Sequence, residues 1–160
     1  YAVQLAHHAG AHVTAVCSTG NVEFVRELGA NEVIDYTKER FNDSVRGHDL
    51  VFDTLGRESL SSCGAVLASD GCYITTVPNA ATLLSWALTS LRAKVSGGQR
   101  ASVITVRPRG QELSSLAELM TQGHIRSVVE NVYPLAEAAE AHRASRTFHT
   151  RGKLVLRVRD

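Results

Sequence analysis

Short apolar segments alternate with amphipathic segments along most of the chain. The apolar segments predict strands, and the amphipathic segments predict helices. The predicted strands are 12–18, 32–36, 49–56, 72–78, 102–108 and 152–158, with a further extended segment at 127–135. The predicted helices are 1–10, 21–30, 56–71, 80–94, 111–124 and 137–145. This alternation, with a period of about 20 residues, predicts an α/β fold in which crossover helices connect the strands of a parallel sheet.

The first predicted strand, HVTAVCS at residues 12–18, is almost continuously apolar. Such a run is typical of a strand that is covered on both faces of a parallel sheet. The helix that follows has apolar residues at helical spacing, and we expect Thr19 or Asn21 to cap its first turn. Gly29 is expected to end that helix.

Composition excludes several classes of protein. The 17 basic residues nearly balance the 16 acidic ones, without the clustered basic face that nucleic-acid binding requires. The three cysteines are widely spaced and form no C-x-x-C pair, which favours a reducing compartment over a disulfide framework. The sequence shows no signal-peptide pattern, and its most apolar stretch, 80–94, is too short and too polar to span a bilayer. We therefore expect a cytoplasmic protein that binds neither nucleic acid nor a membrane.

Residues that could carry chemistry are few. The sequence contains neither the G-x-G-x-x-G loop of dinucleotide-binding folds nor a P-loop. His7, His8 and His12 lie close in sequence, but no carboxylate or cysteine completes a metal-ligand set, so they are interpreted as surface residues. Asp35 and Asp53 end predicted strands without the spacing of an acid–base pair. We therefore predict no metal site in this chain, and its catalytic residues stay unknown.

The turn after the first strand is the most informative local feature. An NAD site usually places Asp or Glu at the end of the corresponding strand, where the carboxylate bonds the ribose hydroxyls. Such a carboxylate would repel a 2′-phosphate, so small hydroxyl residues such as Ser18 and Thr19 favour a phosphate-bearing cofactor. The residues leave an alternative open, namely an ordinary strand-to-helix turn with capping side chains.

Three segments carry a resemblance to a known family: residues 1–36, which include LGANEVIDY; HDLVFDTLG; and the closing HRASRTFHTRGKLVLRV. Together they resemble the medium-chain dehydrogenase/reductase superfamily. The nearest group in it is the NADPH-dependent quinone oxidoreductases (zeta-crystallin-like), commonly labelled zinc-binding alcohol dehydrogenases. The resemblance implies a doubly wound (Rossmann) parallel sheet that lacks, in this chain, its first strand and glycine-rich loop. It also implies a nucleotide-binding domain at 1–123 and a tail at 124–160 that returns to a GroES-like catalytic domain.

The resemblance implies NADP(H) as cofactor in preference to NAD(H). Ser18 and Thr19 would face the adenosine ribose and its 2′-phosphate, and Asn21 stands where quinone reductases often have a phosphate-binding lysine. Tyr36 would pack near the same phosphate. The other implied cofactor-binding residues lie after two further strands: Thr54, Leu55, Gly56, Thr76, Val77 and Pro78.

The resemblance also implies a function, which is hydride transfer between nicotinamide and a quinone, an enone, or another carbonyl or alcohol substrate. A homodimer that uses the strand at 102–108 is expected, and the 160 residues by themselves are expected to be inactive. Two alternatives stay open. The first is that the chain is a non-catalytic scaffold or partner-binding remnant of such an enzyme. The second is an S-adenosylmethionine-binding domain. The last predicts an acid at the end of the first strand, and Ser18 argues against it.

Overall fold

The computed structural model describes residues 1–105, 109–147 and 149–159, apart from the side chains of residues 93–96. Its helices are α1 (Ala2–His8), α2 (Val22–Glu27), α3 (Phe41–Ser44), α4 (Leu60–Cys63), α5 (Ala80–Ser96), α6 (Gly110–Thr121) and α7 (Ala138–Ser145). Its strands are β1 (Thr14–Cys17), β2 (Glu32–Asp35), β3 (His48–Asp53), β4 (Leu67–Thr75), β5 (Arg100–Val103), β6 (Val129–Pro134) and β7 (Lys153–Arg157). Single 3₁₀ turns at Thr19–Asn21 and Leu135–Glu137 precede α2 and α7.

The chain forms two compact units. The terminal unit comprises Tyr1–Asp35 together with Arg109–Asp160, and the central unit comprises Tyr36–Pro108. Every strand pair in either unit is parallel, as the alternation of elements predicts. The predicted α/β class with a parallel sheet is therefore confirmed. The predicted division at residue 123, and the missing first strand, stay predictions.

The terminal unit contains two parallel pairs, β1 with β2 and β6 with β7. In the first pair Cys17 lies opposite Asp35, so both strands end at the same level. The side chain of Gln4 on α1 is buried, and its amide exchanges hydrogen bonds of 3.1 and 2.8 Å with the backbone of Arg126. This pair of bonds ties α1 to the segment that leads into β6.

The central unit is a three-stranded parallel sheet in the order β3-β4-β5. Its hydrophobic core consists of Cys63, Leu67, Tyr73 and Ala101, against which Phe41, Val51 and Leu60 pack. The Asn79 side chain accepts a 2.9 Å hydrogen bond from the backbone N–H of Thr82 and so caps the start of α5.

The first predicted strand differs from the structure in length and in burial. The strand comprises only Thr14–Cys17, and 45% of the Val16 surface is exposed. Among the described residues β1 pairs with β2 alone, so one of its edges is open. Because so much of Val16 is exposed, the prediction that residues 12–18 are covered on both faces is wrong for this structure; apolar composition alone does not show what packs on each face.

The predicted helix at 56–71 is wrong over most of its length. Only Leu60–Cys63 is helical, and β4 begins at Leu67. Val66 and Leu67 are almost fully buried, and Leu67 lies opposite His48 of β3. These apolar residues enter the core from a strand, and a short apolar run of this kind does not distinguish a strand from a helix.

The predicted strand at 102–108 lies only partly within the described residues. β5 spans Arg100–Val103, which places its start two residues earlier than predicted. Residues 106–108 lie outside the described ranges. No helix in the described part of the chain is long and apolar enough to cross a membrane.

Candidate functional site

The turn after β1, residues 18–21, is closed by a 2.9 Å backbone bond from the N–H of Asn21 to the carbonyl of Ser18 and by bonds between side chains; we refer to it as the β1 turn. The Ser18 hydroxyl accepts a 3.2 Å hydrogen bond from the Asn21 amide. The Thr19 hydroxyl donates a 2.5 Å hydrogen bond to Asp35. Neither Thr19 nor Asn21 caps α2, because no side-chain bond is made to the first N–H groups of the helix. The prediction that one of them caps the helix is therefore wrong.

Asp35 is bonded to the β1 turn, a contact that the sequence analysis did not predict. It is 7% exposed and ends β2 directly opposite Cys17. Burial, together with the negative charge of Asp35, raises the pKa of the Cys17 thiol above its ordinary value. The signal was available in the sequence, because neighbouring parallel strands end at the same edge of a sheet and strands were predicted at 12–18 and 32–36.

The turn after β3, residues 54–58, is built around one buried carboxylate; we refer to it as the β3 turn. Oδ1 of Asp53 accepts hydrogen bonds from the backbone N–H groups of Leu55 (2.9 Å) and Gly56 (2.8 Å). Oδ2 accepts from the N–H of Glu58 (2.9 Å) and from the hydroxyl of Tyr73 (2.9 Å). Four donors therefore converge on a single side chain.

These donors set the charge state of Asp53. Burial by itself would raise the pKa of the carboxyl, but the backbone N–H groups of Glu58, Leu55 and Gly56 and the Tyr73 hydroxyl outweigh it, so the pKa lies below the usual value. Burial and the nearby Asp53 carboxylate raise the pKa of Tyr73 well above its usual value. At neutral pH the pair is therefore an ionised carboxylate bonded by a protonated phenol.

The predicted residues after β4 lie against the β3 turn. The Thr76 hydroxyl donates to the carbonyl of Thr54 at 3.4 Å. Gly56 has a φ of +67°, and a Cβ built on it would lie only 2.7 Å from the Cβ of Val77. Leu55 is 65% exposed, and Val77 is also exposed. The structure thus brings the two predicted groups of the central unit, one after each strand, to one edge of the sheet.

Two predicted residues have weaker support from the geometry. Pro78 follows Val77 and is exposed. Tyr36 directly follows the last residue of β2 and is also exposed. The roles of all the predicted residues, from Ser18 to Pro78, stay predictions.

Sequence reasoning noted Asp53 as a strand end but did not connect it with Tyr73. The signal that would connect them is the parallel pairing of β3 with β4, in which Tyr73 lies near the middle of its strand and opposite Val51. Within the described residues no three His, Cys, Asp or Glu side chains are grouped so that they could hold a metal ion.

Parallel strands joined by helices, with polar turns at their carboxyl ends, define the class of nucleotide-binding α/β proteins. Residues 28–156 match the model of the zinc-binding dehydrogenase family, and the chain belongs to that family. The resemblance to the medium-chain dehydrogenase/reductase superfamily is thereby confirmed.

Individual relatives fit the same assignment. The chain is 34% identical to the chloroplastic quinone-oxidoreductase QR1 of Triphysaria versicolor over 98% of its length and 48% of that protein. It is 31% identical to the mitochondrial NAD(P)H oxidoreductase RTN4IP1 of Mus musculus over 99% of its length and 44% of that protein. The structure of the quinone oxidoreductase from Coxiella burnetii superposes with a TM-score of 0.83 at 29% identity, covering 99% of this chain and 48% of the other. The chain thus spans about half the length of the relatives that it matches.

Proposed function

We propose that the chain supplies the NADP(H)-binding part of an oxidoreductase that transfers a hydride between nicotinamide and a quinone, an enone, or another carbonyl or alcohol substrate. The β1 turn is the observation that carries the choice of cofactor. The first residue of this turn is Ser18. Its hydroxyl accepts a hydrogen bond from the Asn21 amide and so keeps its own proton for a further acceptor. A hydroxyl donor in that place suits a 2′-phosphate better than the carboxylate of an NAD site does.

The carboxylate of Asp35 bears on the same choice. It lies at the neighbouring strand end, but it is buried and is bonded by the Thr19 hydroxyl. In that position it orients Thr19 and is covered from a ribose that approaches the turn. We therefore place recognition of the phosphate at Ser18 and assign Thr19 to shaping the turn. Asn21 orients Ser18 and stands in place of a phosphate-binding lysine.

The β3 turn and the residues after β4 are proposed to lie beside the nicotinamide end of the cofactor. Their exposed apolar side chains, Leu55 and Val77, suit packing against the face of a nicotinamide ring, which is uncharged in the reduced cofactor. The four bonds to Asp53 fix the backbone of the turn, so the turn can position a ring without rearranging. When bound, the cofactor supplies the hydride, and the chain contributes position and exclusion of water.

A titration with two nucleotides tests the cofactor assignment. The 160-residue chain is titrated calorimetrically with 2′,5′-ADP, which carries the 2′-phosphate, and with 5′-AMP, which lacks it. We expect 2′,5′-ADP to bind at least about ten times more tightly, because hydrogen bonds to a charged phosphate are among the stronger ones. Equal affinities, or tighter binding of 5′-AMP, would overturn the assignment.

Hydride transfer is proposed for a longer protein that contains this chain, since the relatives are about twice as long. To test hydride transfer, the chain is joined to the first half of such a relative, and NADPH oxidation by the joined protein is measured with a quinone. If no joined protein oxidises NADPH while the chain still binds 2′,5′-ADP, the non-catalytic scaffold is favoured instead. The homodimer and the cytoplasmic location stay predictions, and the sedimentation coefficient of the chain tests the former.

A further inference from the structure

A cationic side chain from the C-terminal part of the terminal unit lies against the β1 turn. A Cβ built on Gly20 would lie 3.2 Å from Nη2 of Arg151. Arg151 is exposed, and within the described residues its guanidinium forms no ion pair. The positive charge at this turn therefore comes from a residue about 130 positions further along the chain, because no basic side chain is present at 18–21.

The backbone at this arginine and just after it is bonded to β6 and to the residue that precedes β6. The N–H of Arg151 donates a 2.7 Å hydrogen bond to the Glu130 carboxylate, and the N–H of Lys153 donates at 2.7 Å to the carbonyl of Val128. The start of β7 is therefore anchored, and ligand binding needs to order only the arginine side chain. Such anchoring lowers the entropic cost of the contact.

We propose that Arg151 binds the 2′-phosphate of NADP(H) at the β1 turn and supplies the cation that Asn21 does not. The proposal rests on the function proposed above and names a residue that determines cofactor specificity. A guanidinium presents two parallel N–H donors to phosphate oxygens, and the Ser18 hydroxyl supplies a third donor from the turn. Arg151 and Ser18 together thus form a donor set for a phosphate dianion.

The acidic groups around the turn explain why a cation is needed there. Asp35 is buried beneath Thr19, and Glu23 lies in the first turn of α2, where it bonds Arg26 at 2.6 Å. Glu130 is directed toward the backbone of Arg151. A phosphate that approached these carboxylates without a compensating charge would be repelled. Arg151 compensates that repulsion at the exposed side of the turn.

Gly20 is part of the same arrangement. A Cβ at this position would be in tight contact with the guanidinium, so a larger side chain would displace it. A cationic side chain at position 20 would, however, place its own charge at the turn. The position of the charge can therefore be moved from residue 151 to residue 20, which provides a rescue experiment.

The test measures the affinities of 2′,5′-ADP and 5′-AMP for the full chain and for its variants by calorimetry at low ionic strength. Arg151→Ala is expected to weaken 2′,5′-ADP about ten-fold and to leave 5′-AMP unchanged, with Arg151→Lys intermediate. The control is Arg157→Ala, an exposed arginine at the other end of β7 and about 20 Å along the strand, which should alter neither affinity. The ten-fold effect should shrink as salt is added.

The rescue variant combines Gly20→Lys with Arg151→Ala and is expected to regain most of the lost affinity for 2′,5′-ADP. If Arg151→Ala fails to fold by circular dichroism, Arg151→Gln, which keeps part of the aliphatic stem, is measured in its place. If Arg151→Ala, or Arg151→Gln where that is measured in its place, binds 2′,5′-ADP as tightly as the unmodified chain, the role of Arg151 is overturned and the NADP(H) assignment is left intact. If the unmodified chain itself does not prefer 2′,5′-ADP, the proposed function fails first.

Discussion

The β1 turn and the β3 turn both follow the carboxyl end of a parallel strand, and both are bonded to a buried aspartate at a strand end, yet they are stabilised differently. Asp53 accepts three backbone N–H bonds and a buried phenol, so its contacts define the path of the main chain. At the β1 turn the side-chain bonds run to other side chains, Thr19 to Asp35 and Asn21 to Ser18, beside one backbone bond from the N–H of Asn21 to the carbonyl of Ser18. The first arrangement fixes a backbone, whereas the second arranges exposed functional groups.

This difference assigns different tasks to the two turns. A turn whose carboxylate bonds main-chain N–H groups tolerates changes in its exposed side chains, because those side chains do not hold it together. A turn built from side-chain hydroxyls and amides changes its recognition properties when any one of them is replaced. We therefore expect substitutions at the β3 turn to alter mainly stability, and substitutions at the β1 turn to alter mainly ligand selectivity.

The largest expected effect comes from Asp53→Asn. The substitution places an amide NH₂ where one carboxylate oxygen accepts, so buried donors lose a partner, and we expect a loss of about 3 kcal/mol in the free energy of unfolding. The measurement is urea denaturation followed by the fluorescence of Trp86, which lies in the same unit. Asp49→Asn is the matched control, since Asp49 lies on the same strand and is exposed. Equal stabilities of the two variants would show that the contacts of Asp53 do not hold the turn.

Asp53 also predicts how the stability of the central unit depends on pH. Its folded-state pKa is lowered, so below about pH 4, the ordinary range of a carboxyl, the unfolded chain binds more protons than the folded chain. The stabilisation is therefore fully present above that range and is lost as the pH falls through the folded-state pKa. Urea midpoints measured between pH 6 and pH 2.5 should fall less steeply in Asp53→Asn than in the unmodified chain. If the urea midpoints of the two proteins fall equally steeply with pH, this pH dependence does not come from Asp53.

The next largest effect is expected for Gly56→Ala compared with Gly47→Ala. Both glycines have positive φ, +67° and +76°, and both lie in the central unit, so both substitutions carry the cost of a left-handed backbone, about 1 kcal/mol. A Cβ at Gly56 would also collide with Val77, whereas a Cβ at Gly47 would meet nothing within 4 Å.

We therefore expect Gly56→Ala to cost about 2 kcal/mol, roughly twice the loss in Gly47→Ala. The measurement is the same urea denaturation with Trp86 fluorescence. The difference between the variants isolates the packing of the β3 turn against the residues after β4. If both variants lose the same amount, the close approach of Gly56 to Val77 does not persist in solution.

The sequence predicted different parts of the two turns for physical reasons that can be stated. Periodicity located the strands and therefore the strand ends, because burial imposes a pattern on neighbouring residues. It did not show that Tyr73 bonds Asp53, since residues 20 positions apart come together only through the pairing of β3 with β4. Nor did it show that Arg151 lies at Gly20, a contact formed across most of the chain.

The errors have related causes. The segment 64–71 was assigned to a helix because its apolar residues fit either period, and the burial of Val66 and Leu67 within the core decided for a strand. The expected capping by Thr19 or Asn21 failed because both side chains are directed to other partners: the Thr19 hydroxyl donates to Asp35, from another strand, and the Asn21 amide donates to Ser18. Local rules were overridden wherever a charged or buried partner came from a distant part of the chain.

The smallest effect expected on stability, and the sharpest test of the contrast between the turns, comes from Thr19→Val. The substitution keeps the branched shape and removes the donor to Asp35, so we expect a loss of about 1 kcal/mol in the stability of the β1–β2 pair. Hydrogen exchange of the β1 and β2 amides measures it. Thr121→Val is the control, because its hydroxyl bonds a carbonyl of its own helix.

The same variant should also change ligand selectivity, whereas Gly56→Ala should not alter discrimination at the adenosine end. Without the Thr19 hydroxyl the Asp35 carboxylate is less neutralised by hydrogen bonding, so its repulsion of a phosphate at the turn increases. We expect Thr19→Val to weaken 2′,5′-ADP a few-fold relative to 5′-AMP, with calorimetry as the measurement. If Gly56→Ala changes that ratio by as much as Thr19→Val does, then recognition is not confined to the β1 turn, and the division of tasks between the turns is wrong.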